Sequence, residues 1–122
     1  MTLDLFKRSP AEYVEEYQKT SGQNPGSLLY RCLIAEEYEE FYSETIKTED
    51  NKANQLKELA DLVYVCYGLA NSEGWDLDEA LYRIHQNNMG RMVQPDGSIL
   101  RREDGKIIKN KDYAKVNLED LV

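Results

Sequence analysis

Glu58-Leu59-Ala60-Asp61-Leu62-Val63-Tyr64-Val65-Cys66-Tyr67, residues 58–67, decides the fold. From Leu62 to Tyr67 no charged side chain interrupts the run, which is far shorter than the ~20 residues a membrane span needs. The run lies inside a helical stretch from about Ala53 to Ser72. A helix segment that is apolar all round is a buried one in a soluble bundle, so this helix is predicted to be central. Glu58 and Asp61 stand three residues apart at its entrance, and Asp61 shares a face with Leu62, Tyr64 and Val65. A carboxylate at the mouth of a buried segment needs a partner.

The preceding helix repeats the feature. Ser27 to about Thr48 carries Leu29, Tyr30, Leu33, Ile34 and Phe41 at helical spacing. Within it lies Glu36-Glu37-Tyr38-Glu39-Glu40. Glu37 and Glu40 are about 60° apart around the axis, on a face that also holds Leu33, Ile34, Phe41 and Glu44. Like charges bordering an apolar stripe repel and lose hydration unless a cation joins them. If the two helices pack antiparallel, Glu37, Glu40, Glu58 and Asp61 converge. Hard oxygen ligands in that number suit Mg²⁺, or Mn²⁺ in its place, rather than zinc. Facing helices of a bundle can build such a site. The competing reading is that each acid pair is solvated surface charge.

The rest of the chain frames these two helices. Ser9-Pro10-Ala11-Glu12 opens a first helix with a capping box and a proline at its first position, and the helix runs to about Lys19. Gly22, Asn24, Pro25 and Gly26 break it. The polar stretch Lys47 to Lys52 separates the second helix from the third, and Gly74 ends the third. Asp76 and Glu79 signal a fourth helix running to about Met92. Leu77, Leu81, Ile84 and Met92 form its apolar stripe, with His85 and Asn88 inside the stripe and Arg91 three residues on. Turns at Pro95-Asp96-Gly97 and Asp104-Gly105 flank Ile99-Leu100 and Ile107-Ile108, the pattern of a short hairpin before an ordered tail. The expected architecture is all-α: a bundle of about four main helices with a short C-terminal β-hairpin and extended tail. One domain spans 1–122, with the N-terminal helix and turn in 1–26, the acid-bearing helices in 27–92 and the hairpin and tail in 93–122.

Composition sets the outer limits. The 122 residues carry 15 Lys and Arg against 23 Asp and Glu, a charge of −8, with 41% hydrophobic residues. That is material for one domain with a core. The acidity excludes a binder of polymeric nucleic acid or of an anionic membrane, both of which want a basic surface. A small phosphorylated ligand held through a divalent cation is not excluded. Met1 to Pro10 shows no apolar stretch, so no secretory signal is expected. Cys32 and Cys66, each in apolar surroundings and without a CxxC pair, read as buried free thiols of a cytoplasmic protein and offer no cysteine zinc site.

Together these residues resemble the MazG-like all-α nucleoside triphosphate pyrophosphohydrolases. The family's EExxE corresponds to Glu36-Glu37-Tyr38-Glu39-Glu40 and its ExxD to Glu58-Leu59-Ala60-Asp61. Its His-x-x-Asn-Met-x-Lys segment corresponds to His85-Gln86-Asn87-Asn88-Met89-Gly90-Arg91, with Arg91 where lysine is more usual, and its Asp-Gly-Lys turn to Asp104-Gly105-Lys106. The resemblance covers roughly Leu28 to Tyr113. It implies Mg²⁺ ligation by Glu37, Glu40, Glu58 and Asp61, with Glu36 or Glu40 taking the proton of an attacking water. It implies substrate contacts from Asn88, Arg91, Lys106 and Lys109, with His85 in the same segment. The implied reaction converts a nucleoside triphosphate to the monophosphate and pyrophosphate. The implied assembly is a homodimer or homotetramer, in which Tyr13, Tyr17, Tyr38, Tyr42, Tyr64, Tyr67 and Tyr82 suit interfaces, core packing or stacking on a base. A phosphoribosyl-ATP pyrophosphohydrolase shares the helical carboxylate scheme, although the Asp104-Gly105-Lys106 turn sides with the MazG-like branch. A non-catalytic nucleotide-binding helical module is the third reading.

Overall fold

The computed structural model describes residues 8–22 and 26–122. Among the described residues are four helices, α1 (Pro10–Ser21), α2 (Ser27–Thr45), α3 (Lys52–Glu73) and α4 (Leu77–Arg91). They are followed by strands β1 (Leu100–Arg101) and β2 (Ile107–Ile108) and a short 3₁₀ turn at Glu119–Leu121. The all-α expectation with a C-terminal hairpin therefore holds. The chain forms two compact units, Met1–Leu77 and Asp78–Val122. Of the predicted break after α1, Asn24 and Pro25 lie outside the described residues. Among the described residues no helix is long and apolar enough to cross a membrane.

In the first unit, α1 starts with the predicted capping box: Ser9 Oγ accepts from the Glu12 backbone N–H at 3.3 Å, and Ser9 N–H donates to Glu12 Oε1 at 3.1 Å. Helices α2 and α3 form an antiparallel hairpin, pinned at both ends. At the turn, Asn51 is 8% exposed and donates from Nδ2 to the Glu44 carbonyl at 2.8 Å and to Glu44 Oε2 at 2.7 Å. Asn51 Oδ1 accepts in turn from Gln55 Nε2 at 2.7 Å. Glu44 also pairs with Lys47 at 2.8 Å, and these partners hold its carboxyl below the usual carboxylate range. At the far end the Tyr30 ring, 4% exposed, lies directly on Gly68. A Cβ on Gly68 would fall 2.2 Å from Tyr30 Cε1, so only glycine admits this approach.

Helix α1 closes over that contact. Gln18 Nε2 donates to Tyr30 Oη at 2.9 Å and to the Gly68 carbonyl at 3.2 Å. Asn71 Nδ2 donates to Gln18 Oε1 at 3.2 Å and to the Ala11 carbonyl at 3.0 Å. Val14, Tyr30, Tyr67 and Ala70 form the buried apolar core. The segment Leu62 to Tyr67 is less enclosed than predicted. Tyr67 is buried, but Val63 is 47% and Tyr64 39% exposed. The physical reason is coverage. Helices α1 and α2 shield two sides of α3, while Leu56, Leu59 and Val63 stay open along a third and line a cavity of about 500 Å³ with Tyr13 and Val14. Cys66 is half-buried and Cys32 exposed, so the expectation of two buried thiols fails for Cys32.

In the second unit the C-terminal segment runs back along one face of α4. Asn110 N–H donates to the Arg91 carbonyl at 2.7 Å. Asn87 Nδ2 reaches the Ala114 carbonyl at 2.7 Å. Arg83 joins Asp120 through two nitrogens, at 2.6 and 2.9 Å, and Glu79 at 3.0 Å. The Tyr113 ring packs on Gly90, where a Cβ would meet it at 2.3 Å. This backing corrects the sequence reading of α4. Its stripe was expected to face the core, yet Leu81 and Ile84 are exposed and no α4 residue is fully buried. The tail occupies the Arg83, Asn87 and Gly90 side instead. Strands β1 and β2 pair antiparallel with Leu100 opposite Ile108 and Arg101 opposite Ile107, one residue along from the predicted Ile99-Leu100 strand.

Gly68→Ala is expected to destabilise the protein by about 1–3 kcal/mol through overpacking against Tyr30. Urea unfolding followed by circular dichroism reads this as a lower midpoint.

Candidate metal and active site

The site follows from the two pins. With Glu44 beside Asn51 at one end and Tyr30 on Gly68 at the other, the middle of α2 must face the middle of α3. Carboxylate oxygens of Glu37, Glu40 and Glu58 accordingly lie within 4.8 Å of one another. Among the described residues this is the one cluster of acids close enough to share an ion. Glu37 Oε2 and Glu58 Oε2 are buried and have no hydrogen-bond partner. Burial pushes the Glu37 carboxyl above its ordinary range. The hydrogen bond and charge from Glu40 add to this, followed by the charges of Asp61 and Glu58.

Leaving two buried carboxylate oxygens unpaired beside a third acid is costly. A hard divalent cation would supply the missing partner for both and meet the third, and a set of anionic oxygens is what Mg²⁺ or Mn²⁺ prefers. The donor set therefore fits the ion expected from the sequence. Asp61 stands differently. Its carboxylate takes the Lys57 ammonium at 2.7 Å, and the same Lys57 lies 3.6 Å from Glu58. Asp61 adds negative charge at Glu37 but stays outside the three-acid cluster. Glu36 is exposed on α2 and likewise outside it. Lys57 and Asn51 were missed by sequence reading. The i,i+4 spacing of Lys57 and Asp61 was the available signal for the first. Asn51 gave none beyond its place before a helix.

His85, Asn88, Arg91, Lys106 and Lys109 all belong to the second unit. His85 and Asn88 are exposed on α4, not held inside a buried stripe. Arg91 is half-buried with its Nε unpartnered. Lys106 and Lys109 are exposed at the two ends of β2. The Lys106 backbone N–H is fixed by Asp104 Oδ1 at 3.1 Å, so the Asp104-Gly105-Lys106 turn forms as predicted.

Fold and site together define an all-α protein whose helical hairpin gathers three carboxylates. The chain belongs to the phosphoribosyl-ATP pyrophosphohydrolase family, whose model matches residues 4–88, within the all-α nucleoside triphosphate pyrophosphohydrolases. The match takes in every clustered acid. The family is one of hydrolases that cleave a phosphoric anhydride bond in a nucleotide-like substrate. This match reverses the order in which the sequence motifs ranked the two enzymatic readings; the turn that favoured the MazG-like branch lies beyond the matched residues. No match emerges among individually curated proteins.

Glu58→Gln is expected to raise the melting temperature of the metal-free protein by relieving like-charge repulsion. The same variant should lose the stabilisation that Mg²⁺ gives the parent, about 2.7 kcal/mol at a hundred times its Kd. Differential scanning calorimetry with EDTA or with Mg²⁺ reads both effects.

Proposed function

We propose that the protein is a Mg²⁺-dependent pyrophosphohydrolase that cleaves between the α- and β-phosphates of a nucleotide, with phosphoribosyl-ATP as first substrate. The observation that carries this is the unpartnered pair of buried oxygens on Glu37 and Glu58 beside Glu40. Family membership supports the substrate class. Bound there, the divalent ion offsets the triphosphate charge and lowers the pKa of a water molecule. Glu37, Glu40 and Glu58 would hold the ion, and Asp61, paired with Lys57, adds negative charge beside them. Water adds to the α-phosphorus, the bond to the bridging oxygen breaks, and pyrophosphate leaves. The water proton passes to a carboxylate, Glu40 within the cluster or Glu36, exposed on the same helix. The substrate roles of His85, Asn88, Arg91, Lys106 and Lys109 rest on motif resemblance alone.

A second reading, hydrolysis of ordinary or modified (d)NTPs by a MazG-like enzyme, is favoured by one observation. The Asp104-Gly105-Lys106 hairpin forms outside the matched residues. Both readings are tested by pyrophosphate release from phosphoribosyl-ATP and a dNTP panel with Mg²⁺ or Mn²⁺. Release from phosphoribosyl-ATP at the highest kcat/KM supports the first, and preference for a dNTP supports the second. Glu40→Ala or Glu58→Ala should abolish turnover while helicity persists. Thermal stabilisation by Mg²⁺ and nucleotide without any pyrophosphate would leave the non-catalytic module standing.

The assembly belongs to the same proposal: a cytoplasmic homodimer or homotetramer in which another copy covers the open Leu56, Leu59 and Val63 side of α3. Multi-angle light scattering should return a mass of at least twice 14.2 kDa, and Val63→Glu should lower it.

A further inference from the structure

Lys57 stands at the rim of the acid cluster. Its ammonium lies 2.7 Å from Asp61 Oδ2 and 3.6 Å from Glu58 Oε1. The neighbouring Glu58 is shared between two environments: its Oε2 is buried and unpartnered, while its Oε1 faces Lys57. Exposure is graded across the three side chains, at 67% for Lys57, 38% for Asp61 and 17% for Glu58. A charged head on a flexible stem therefore sits between solvent and the carboxylates. Among the described residues of the first unit, no other lysine or arginine forms an ion pair with these acids. Arg8, Lys19, Arg31 and Lys47 are each paired with a different glutamate.

The charges around the cluster call for such a cation. Three ionised carboxylates carry more negative charge than one divalent ion offsets, and the phosphates of a nucleotide add to the excess. An arriving phosphate chain is thus repelled by the residues that would hold its metal. An ammonium has three N–H donors. Asp61 takes one of them, and Glu58 lies at the outer limit for a second, so donor capacity is left for another partner. The Lys57–Asp61 pair is an exposed i,i+4 pair on α3, a kind that gives a fold little stability. A magnesium ion bound through carboxylates completes its shell with substrate phosphate. On Glu58 that brings phosphate beside the carboxylate Lys57 already faces.

We propose that Lys57 is a phosphate-binding residue of this site, its ammonium donating to a non-bridging oxygen of the metal-bound phosphate chain while Asp61 holds it at the rim. The inference rests on the reading of the carboxylate cluster as a metal-dependent nucleotide site. Lys57, Glu58 and Asp61 all belong to α3, so their arrangement is set within one helix.

This role has a signature of opposite signs. Removing a cation beside acids favours Mg²⁺ but disfavours an anionic phosphate chain, whereas losing a purely structural residue would weaken both. Isothermal titration calorimetry measures Mg²⁺ alone, then α,β-methylene-ATP, which resists cleavage, and inorganic tripolyphosphate, each in saturating Mg²⁺. Lys57→Ala should bind Mg²⁺ at least as tightly as the parent and bind both phosphate ligands about tenfold more weakly. The two losses should match, because the contact is with phosphate and not with the base. Lys57→Arg, which keeps the charge, should recover most of the affinity. Circular dichroism checks folding, and Lys57→Gln carries the test if Lys57→Ala unfolds. Undiminished phosphate binding in Lys57→Ala, or an equal loss for Mg²⁺ alone and for the phosphate ligands, overturns the assignment and leaves the nucleotide reading standing. A parent that binds neither phosphate ligand overturns both. A parent that shows the expected pattern but releases no pyrophosphate from any nucleotide keeps the role of Lys57 and loses the catalytic reading, so the failures are distinct.

Discussion

The close approach of the Tyr30 ring to the bare backbone of Gly68 is the constraint on which the first unit depends. It sets the spacing of α2 and α3 at one end, while Asn51 on Glu44 sets it at the other. Between two fixed ends a pair of helices has little freedom to rotate, because interiors are close-packed and side chains interdigitate. Glu37, Glu40 and Glu58 are thus held face to face although their mutual repulsion opposes it. The unfavourable electrostatics of the site are sustained by packing elsewhere. Gln18 shows how economically this is done, since one side-chain amide contacts Tyr30, Gly68 and Asn71 and ties all three helices of the unit.

The second unit is organised on a different principle. Its helix is backed by an extended tail, joined by an arginine to a tail carboxylate, an asparagine to a backbone carbonyl, and a tyrosine ring packed on a glycine. A single exposed charged pair is weak, so the ordering comes from these different joins acting along one face. That leaves the Leu81 and Ile84 side of α4 uncovered by the tail.

The sequence revealed the helices well and their environments less well. Capping at Ser9, the break at Gly74 and the turn at Asp104-Gly105 are local signals, written within a few residues, and each appears where its chemistry places it. The convergence of the acids was legible because helical spacing and short connections leave few ways to pack α2 against α3. What stayed hidden depends on partners distant in the chain. The apolar pattern of Leu62 to Tyr67 cannot reveal how many neighbours will cover it, and Val63 is open because two helices do not surround a third. Likewise the stripe on α4 competes with a tail joined through Arg83 and Asp120, 37 residues apart. Asn51 and Lys57 look like ordinary polar residues until their acceptors are in place. Family membership reordered the substrate readings, while the turn that had favoured one of them lies outside the matched residues.

The buried state of two oxygens in the cluster separates this site from the acidity around it. Mobile salt ions form a diffuse atmosphere with a Debye length of ~8 Å at physiological ionic strength. That atmosphere damps repulsion among exposed acids such as Glu36 and Glu39. Glu37 Oε2 and Glu58 Oε2 are closed to solvent, so the atmosphere screens them poorly. The molecule has in consequence two electrostatic responses. One is gradual and graded with ionic strength, spread over the surface. The other would be stoichiometric and saturable, open only to an ion that sheds water and makes direct contact. Raising monovalent salt exhausts the first without imitating the second.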